Sequence, residues 1–462
     1  MNTRGWKNVD IEYGKSYIRV KVPAHCDVLK MRDVPSLTEP AKEIEHALSH
    51  PIGTSPVEKI IFSFKKHPSE MSVTITVSDN TRPVPYSAQS EEGILFPLLK
   101  RLKKAGIKDE NINIIVGTGT HLPTSDEWKN EALGEVITER YKIEDHSSTS
   151  SELIPIGALK GIQVRINRDF MQADIRIATG LVEPHFMAGV SGGRKAVCPG
   201  LINLEVTHLF HGVDFMDNPN ATNLVLEDNP CHEFSLEVAR KVGVDFSVNV
   251  TLNGEGKLSG VFAGALEKSH LEAVRKLKEF SLIACQQEYD IVLTQGGKVA
   301  LNHYQAAKAA YGAIPIIKKG GVVILLAHNS DTEPVGKDEY KEVLKVLKEK
   351  GPGRFTEYIK DKSWKFLPDQ WQVQKWDQFF RKVGSFENLI YCTTNISSED
   401  LRKFPGKSGY DFVRREKATP EEMVQNAIFY AVQKAQQKLK KEPQMAFIKE
   451  GPYAVPVVSP NP

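Results

Sequence analysis

Residues 174–200 read DIRIATGLVEPHFMAGVSGGRKAVCPG. The alternating run 174–178 reads as a strand, and it gives way at once to two Gly-rich turns that enclose a histidine and end in two cations. The same order recurs along the chain. SVTITV (72–77) is followed by Ser-Asp-Asn-Thr-Arg-Pro, NIIV (113–116) by Gly-Thr-Gly-Thr-His, DIVL (290–293) by Thr-Gln-Gly-Gly, and GVVILLA (321–327) by His-Asn-Ser. Helical periodicity covers 92–105, 270–280, 337–350 and 420–441. Strands and helices in alternation predict an α/β protein whose polar turns gather at the C-terminal edge of parallel sheets, where ligands bind.

A length of 462 residues predicts two domains. A fresh strand after the charged helix near 280–289 sets the boundary, giving an N-terminal α/β domain over 1–285 and a C-terminal one over 286–415. Residues 416–462, a helix and tail, are expected to pack back on the N-terminal domain. A Pro/Gly- and aromatic-rich insertion, 351–367, interrupts the second strand–helix series. The 60 basic residues nearly balance 58 acidic ones, and no long basic tract exists, which argues against nucleic acid as a partner. No apolar run is long enough to span a membrane, and the polar start (MNTRGWKNVDIEYGK) has no secretory h-region. Five scattered cysteines without a CxxC pair point to a reducing cytoplasm, with neither a disulfide framework nor a thiolate zinc site.

Several loops carry chemistry. SGGRK (191–195) offers backbone N–H groups and two cations, which suits either a phosphate seat or an ordinary glycine-rich connection. Neither GxxxxGK[ST] nor GxGxxG is present, so a P-loop or plain dinucleotide reading is poor. His121, His185 and His211 stand in polar loops, too far apart in sequence for HExxH or another local metal motif. Each alone reads as structural; three around one phosphate-type turn read as a site. Arg82 in SDNTRP suits bidentate capture of a carboxylate or phosphate, or else a solvated turn. In YQAAK, Tyr304 and Lys308 share a helix face, with Gln305 to one side.

Taken together, SDNTRP (78–83), GTGTH (117–121), EPHFMAGVSGGRKAVCPG (183–200), His211, YQAAK (304–308) and DQWQ (369–372) resemble the nickel-pincer lactate racemase family of 2-hydroxy-acid racemases and epimerases. The resemblance implies two α/β domains with the active site in the interdomain cleft. It implies a covalently bound nickel-pincer nucleotide, a pyridinium-3-thioamide-5-thiocarboxylic acid mononucleotide with Ni, tethered to Lys195, with His211 as the one protein ligand to the metal. His208 is the rival ligand. The mononucleotide's phosphate falls to the turns carrying Asp79 and Arg82 and Ser191, Gly192, Gly193 and Arg194. His121 and His185 match the family's two acid–base groups. Arg82, Tyr304, Gln305, Lys308 and Trp371 match residues around the substrate, and His303 adds a titratable group beside them. The partners implied are a small 2-hydroxy acid, lactate-like or larger, and the proteins that make the cofactor.

The chemistry explains such a set. An α-proton next to a carboxylate is hard to remove, whereas hydride removal leaves a stable planar keto acid. The hydroxyl proton must leave with it, and because the oxygen sits differently in the two enantiomers, two bases in mirror positions are expected. Other readings are a dehydrogenase or hydrolase on the same scaffold, or a non-enzymatic protein that binds an anion or nucleotide.

Overall fold

The computed structural model describes residues 5–87, 89–361, 363–414 and 418–459. The chain divides into two compact units, one formed by Asp33–His211 and Asn218–Phe280, the other by Met1–Arg32, Gly212–Asp217 and Ser281–Pro462.

In the first unit the sheet runs, edge to edge, Leu258–Gly264, Phe246–Leu252, Ile175–Leu181, Val73–Val77, Ile112–Val116 and Lys142–Asp145. All neighbours pair in parallel except the hairpin formed by the first two. Every residue of Val73–Val77 is buried, as expected of a central strand covered on both faces. Ile75, Ile114, Ile177 and Val248 share a core with Leu98 and Leu102 of the helix Leu95–Lys104. That helix was expected to begin at 92; the residues before Leu95 form turns instead. The connections out of Val73–Val77 and Ile175–Leu181 leave in opposite directions along the sheet, so a crevice opens between those two strand ends. The loops at that point are SDNTRP and the stretch after 181.

The second unit has its own parallel sheet, in the order Lys407–Ser408, Leu389–Cys392, Ile317–Leu326, Tyr289–Gln295, Met445–Ile448 and Asp27–Leu29. One face is covered by the hairpin Trp6–Tyr13 and Ser16–Pro23 together with the helix Pro420–Leu439. This corrects the expected organisation in two respects. The first 32 residues belong with the C-terminal half, and the last helix packs there too, not on the N-terminal domain. Its apolar stripe (Met423, Ala427, Ile428, Ala431) meets Ile291, Leu293 and Ile324 of the sheet and the inward positions Val9, Ile11, Val20 and Val22 of the hairpin. A Thr419–Glu422 capping box and Pro420 fix where that helix begins. The break between the units falls at Phe280/Ser281, and the expected 415/416 boundary lies outside the described residues. Among the described residues no helix is long and apolar enough to cross a membrane.

Candidate active site

The crevice loops are tied to the sheet and to each other. Tyr86 Oη accepts from the Ser78 amide (2.8 Å) and bonds Thr179 Oγ1 (2.8 Å), whose hydroxyl donates to the Thr76 carbonyl. The amides of Gly117 and Gly119 donate to the carbonyls of Val77 and Gly200, so GTGTH is bound both to the strand end just before SDNTRP and to the residue that closes the stretch after SGGRK.

On this frame the structure pairs Asp79 with His121, Nδ1 to Oδ2 at 2.6 Å. The carboxylate is buried and also accepts from the Thr81 amide (3.1 Å) and hydroxyl (2.6 Å), while half of the His121 side chain is exposed. Burial pushes the Asp79 carboxyl up, but the His121 hydrogen bond and charge, Thr81 and Arg82 outweigh it and leave it below the ordinary carboxylate range. Asp79, expected at the cofactor phosphate, is hydrogen-bonded to His121 here. Arg82 faces Glu183 (Nε to Oε1, 2.9 Å) and donates from Nη1 to the Thr81 carbonyl.

His185 lies in the tight ladder Pro184–His185 against Gly189–Val190. Its Nδ1 accepts the amides of Met187 (3.3 Å) and Ala188 (3.2 Å).

Three amides of the SGGRK turn are bonded within the protein. The Ser191 amide donates to the Glu183 carbonyl and its hydroxyl to the Leu181 carbonyl; the Gly193 amide donates to Asn249 Oδ1 and the Lys195 amide to the Gly192 carbonyl. Arg194 is fully buried, with Nη2 on the Ala188 carbonyl (2.7 Å) and Nη1 beside His270 (3.2 Å). It holds the turn together. Burial pushes its guanidinium down to about 9 and the His270 ring down to about 3. Gly193 has φ +51°, and a Cβ there would stand 2.6 Å from the His270 ring. Gly193→Ala is therefore expected to destabilise the protein by roughly 2–5 kcal/mol, from left-handed backbone plus overpacking, measured by urea unfolding.

Lys195 ends this turn with an amine pushed down to about 7, first by burial and then by the charges of Arg194 and Arg82. Its charge is felt at His211, which caps the helix Leu204–Phe210. His211 is buried and its Nδ1–H donates to the Thr207 carbonyl (2.9 Å), which puts the ring's lone pair on Nε2. Burial, then Lys195, push the ring down to about 3, so it is neutral. His208, one turn earlier, is also lowered by burial, offset by Glu205.

The remaining residues lie in the second unit. Trp371 Nε1 donates to Tyr304 Oη (2.7 Å), and Gln372 donates from its side-chain amide to the Tyr304 carbonyl. The Gln305 side-chain carbonyl is buried without a hydrogen-bond partner among the described residues. Lys308 follows one turn later on the helix His303–Gly312. His303 is no titrating neighbour of a substrate. It bonds Tyr340 Oη (2.9 Å), stacks on Trp376 and touches the Tyr391 ring, and burial pushes it down to about 3.

Residues 13–223 match the family model for the lactate racemase N-terminal domain, and 284–409 the model for the C-terminal domain. The chain is 31% identical over 377 residues to the lactate racemase of Thermoanaerobacterium thermosaccharolyticum, covering 79% of this chain and 84% of that one. The chain belongs to the lactate racemase family. It is 33% identical over 361 residues to the lactate racemase of Lactiplantibacillus plantarum, covering 77% of this chain and 80% of that one. The solved apoprotein of the Thermoanaerobacterium lactate racemase superposes with a TM-score of 0.82 at 26% identity, over 97% of this chain and 100% of that one. A Thermotoga maritima protein at 17% identity and a TM-score of 0.64, over 91% of this chain and 99% of that one, shares the fold. The family membership makes this protein an isomerase of the racemase kind, with a small hydroxy acid as substrate.

Two participants escaped the sequence reading. Glu183 and Thr207 have no motif of their own; only the EPH context, and the i−4 spacing of Thr207 from His211, point to them.

Proposed function

We propose that the protein inverts the C2 centre of a lactate-like or larger 2-hydroxy acid with a nickel-pincer nucleotide attached to Lys195. The observation that carries this reading is the pairing of a depressed lysine amine with a buried histidine whose tautomer is set by a backbone carbonyl. Burial and the neighbouring cations lower the amine, which favours the neutral form that can make a covalent bond, while the Nδ1–H of His211 is held by the Thr207 carbonyl and its other nitrogen suits a borderline metal ion. Among the described residues no group of three or more His, Cys, Asp or Glu could hold a metal. A cofactor that brings most of the metal's donors itself fits that donor set.

When bound, such a cofactor would supply hydride-acceptor chemistry at C2. The chain's own residues do the rest. His121 and His185 are assigned to the substrate hydroxyl and Arg82 to its carboxylate, while Tyr304, Gln305, Lys308 and Trp371 are the second unit's own candidates for substrate contact. The buried, orphaned Gln305 carbonyl favours a ligand hydroxyl as its partner. Fixing the carboxylate keeps a planar keto acid in place while it presents its other face.

The test is intact mass and metal analysis of the protein made with and without the cofactor-synthesis machinery, followed by a panel of 2-hydroxy acids assayed for loss of optical rotation. An added mass, one nickel per chain and racemisation only in the first preparation are expected. Racemisation by the unmodified, metal-free chain would overturn the reading.

A further inference from the structure

The described residues of the insertion 351–367 are fastened along one helix of the second unit. The Asp377 carboxylate, fully buried on the helix Gln370–Val383, accepts the amides of Phe355 (3.2 Å) and Thr356 (3.0 Å) and the Thr356 hydroxyl (2.7 Å). These bonds satisfy the first turn of the short helix Phe355–Ile359 and tie it to the longer one. Further on, the Trp364 ring meets Phe355 and Tyr358 edge-on, at 6.2 and 5.6 Å between centroids. Its indole N–H and the Leu367 amide both donate to the Gln370 side-chain carbonyl, each at 2.9 Å. Phe366 stands between those two anchors.

Its ring lies against Trp371, 6.0 Å between centroids and tilted by 31°. Trp371 in turn donates through Nε1 to Tyr304 Oη (2.7 Å), and the Tyr304 hydroxyl is bonded to the Asp369 carboxylate. Asp369 holds that place with left-handed backbone (φ 64°), an uncommon conformation for a residue with a side chain. An indole has one polar group, a donor, and here it is committed to Tyr304. The tyrosine's one proton goes to a carboxylate. Trp371 and Tyr304 therefore offer a third molecule ring surface rather than a donor, and the Asp369 charge repels a second carboxylate.

Resting on the reading of a 2-hydroxy-acid racemase with Tyr304 and Trp371 beside its substrate, we propose that the insertion is a specificity element: Phe366, Trp371 and Tyr304 form an aromatic wall that takes an apolar group on C2 of a monocarboxylic acid. Such a wall strips a polar substituent of water without replacing its hydrogen bonds, whereas a hydrocarbon gains by leaving water. Phe366 limits the size of the group. Gln370 is a positioning residue: it fixes Trp364 and Leu367, and with them Phe366.

Phe366 is half-buried, so a smaller or larger side chain there leaves the core intact. The loaded wild-type protein is expected to turn over 2-hydroxybutyrate about tenfold or more better, in kcat/KM, than malate, which carries a second carboxylate. Phe366→Ala is expected to move the preference about tenfold toward phenyllactate relative to 2-hydroxybutyrate, and Phe366→Trp to move it the other way. A wall residue changes the ranking of the acids, whereas a residue that only supports the fold lowers them all alike. Malate preferred by the wild type, or an unchanged ranking in both Phe366 variants, would overturn the proposal.

A second measurement needs neither cofactor nor turnover. In the full-length, unloaded chain the Leu367 amide should be protected from hydrogen exchange, because Gln370 accepts it. Gln370→Leu should raise its exchange rate about tenfold or more, and Gln370→Glu, which keeps an acceptor there, should restore most of the protection. Equal protection in the wild type and Gln370→Leu would remove Gln370 from its role and sink the account of how the insertion places Phe366. A loaded wild-type protein that inverts no 2-hydroxy acid would overturn the functional reading and this proposal with it. One that inverts malate best would leave that reading standing and overturn the aromatic wall alone.

Discussion

Lys195→Ala is expected to abolish the covalent adduct and, with it, all measurable racemisation, while the protein stays folded. The side chain's own hydrogen-bonding is not what builds the turn: the amides of Ser191, Gly193 and Lys195 and the Arg194 guanidinium do that. Removing the amine takes away one half-buried group that is disfavoured when charged, so stability should hold or rise slightly. The amine itself can be tested without the cofactor. Burial, then Arg194 and Arg82, push it down to about 7. A folded value below that of an exposed lysine means the nucleophilic neutral form appears at lower pH. Labelling of the unloaded chain by an acylating reagent should therefore show one site whose rate climbs through about pH 7 and then levels, and which is missing in Lys195→Ala. Surface lysines keep gaining reactivity to far higher pH. An unchanged adduct mass in the loaded variant, or the same early-titrating site in it, would remove Lys195 from the assignment.

The legibility of this molecule follows from which forces act locally. Val73–Val77 and the stretch 321–326 are readable because burial on both faces demands continuous β-branched and apolar runs, whereas the start of the strand Ile317–Leu326, which carries two lysines and is partly exposed, was not read. The polar loops that follow them are readable for the same reason, since the chemistry has to begin where the apolar run stops. What was hidden depends on partners far away in sequence. The N-terminal hairpin looks like any amphipathic hairpin, and only its contact with a helix some 400 residues later assigns it to the second unit. His303 sits beside YQAAK and looks like a site residue; Tyr340, Trp376 and Tyr391 turn it into core. Arg194 next to Lys195 looks like an anion anchor, but the carbonyl it serves and the His270 ring beside it come from elsewhere in the fold. Within the insertion 351–367, Phe355–Ile359 forms a short helix and the Trp364 indole donates to Gln370, bracing the start of the helix Gln370–Val383, whose first residues are the QWQ of DQWQ. Composition gives no hint of that.

The choice between His208 and His211 is where local geometry decides most sharply, and it predicts the second large effect. His211→Ala is expected to leave the adduct on Lys195 but to strip its nickel, whereas His208→Ala keeps it. A histidine binds a metal well when its other nitrogen is held by an acceptor, because the hydrogen bond fixes both tautomer and ring orientation. The Thr207 carbonyl does this for His211 at 2.9 Å, four residues back on the same helix. Burial adds to it: a ring pushed down to about 3 does not lose its ligand lone pair to protons at working pH. Outer hydrogen bonds alone are worth about 10–100-fold in metal affinity, so losing the ligand itself should cost at least that much. Nickel per chain by elemental analysis, read against adduct mass in the same sample, separates metal loss from cofactor loss. Nickel kept by His211→Ala and lost by His208→Ala would reverse the assignment, and the carbonyl that orients His211 would then be no more than a helix-end contact.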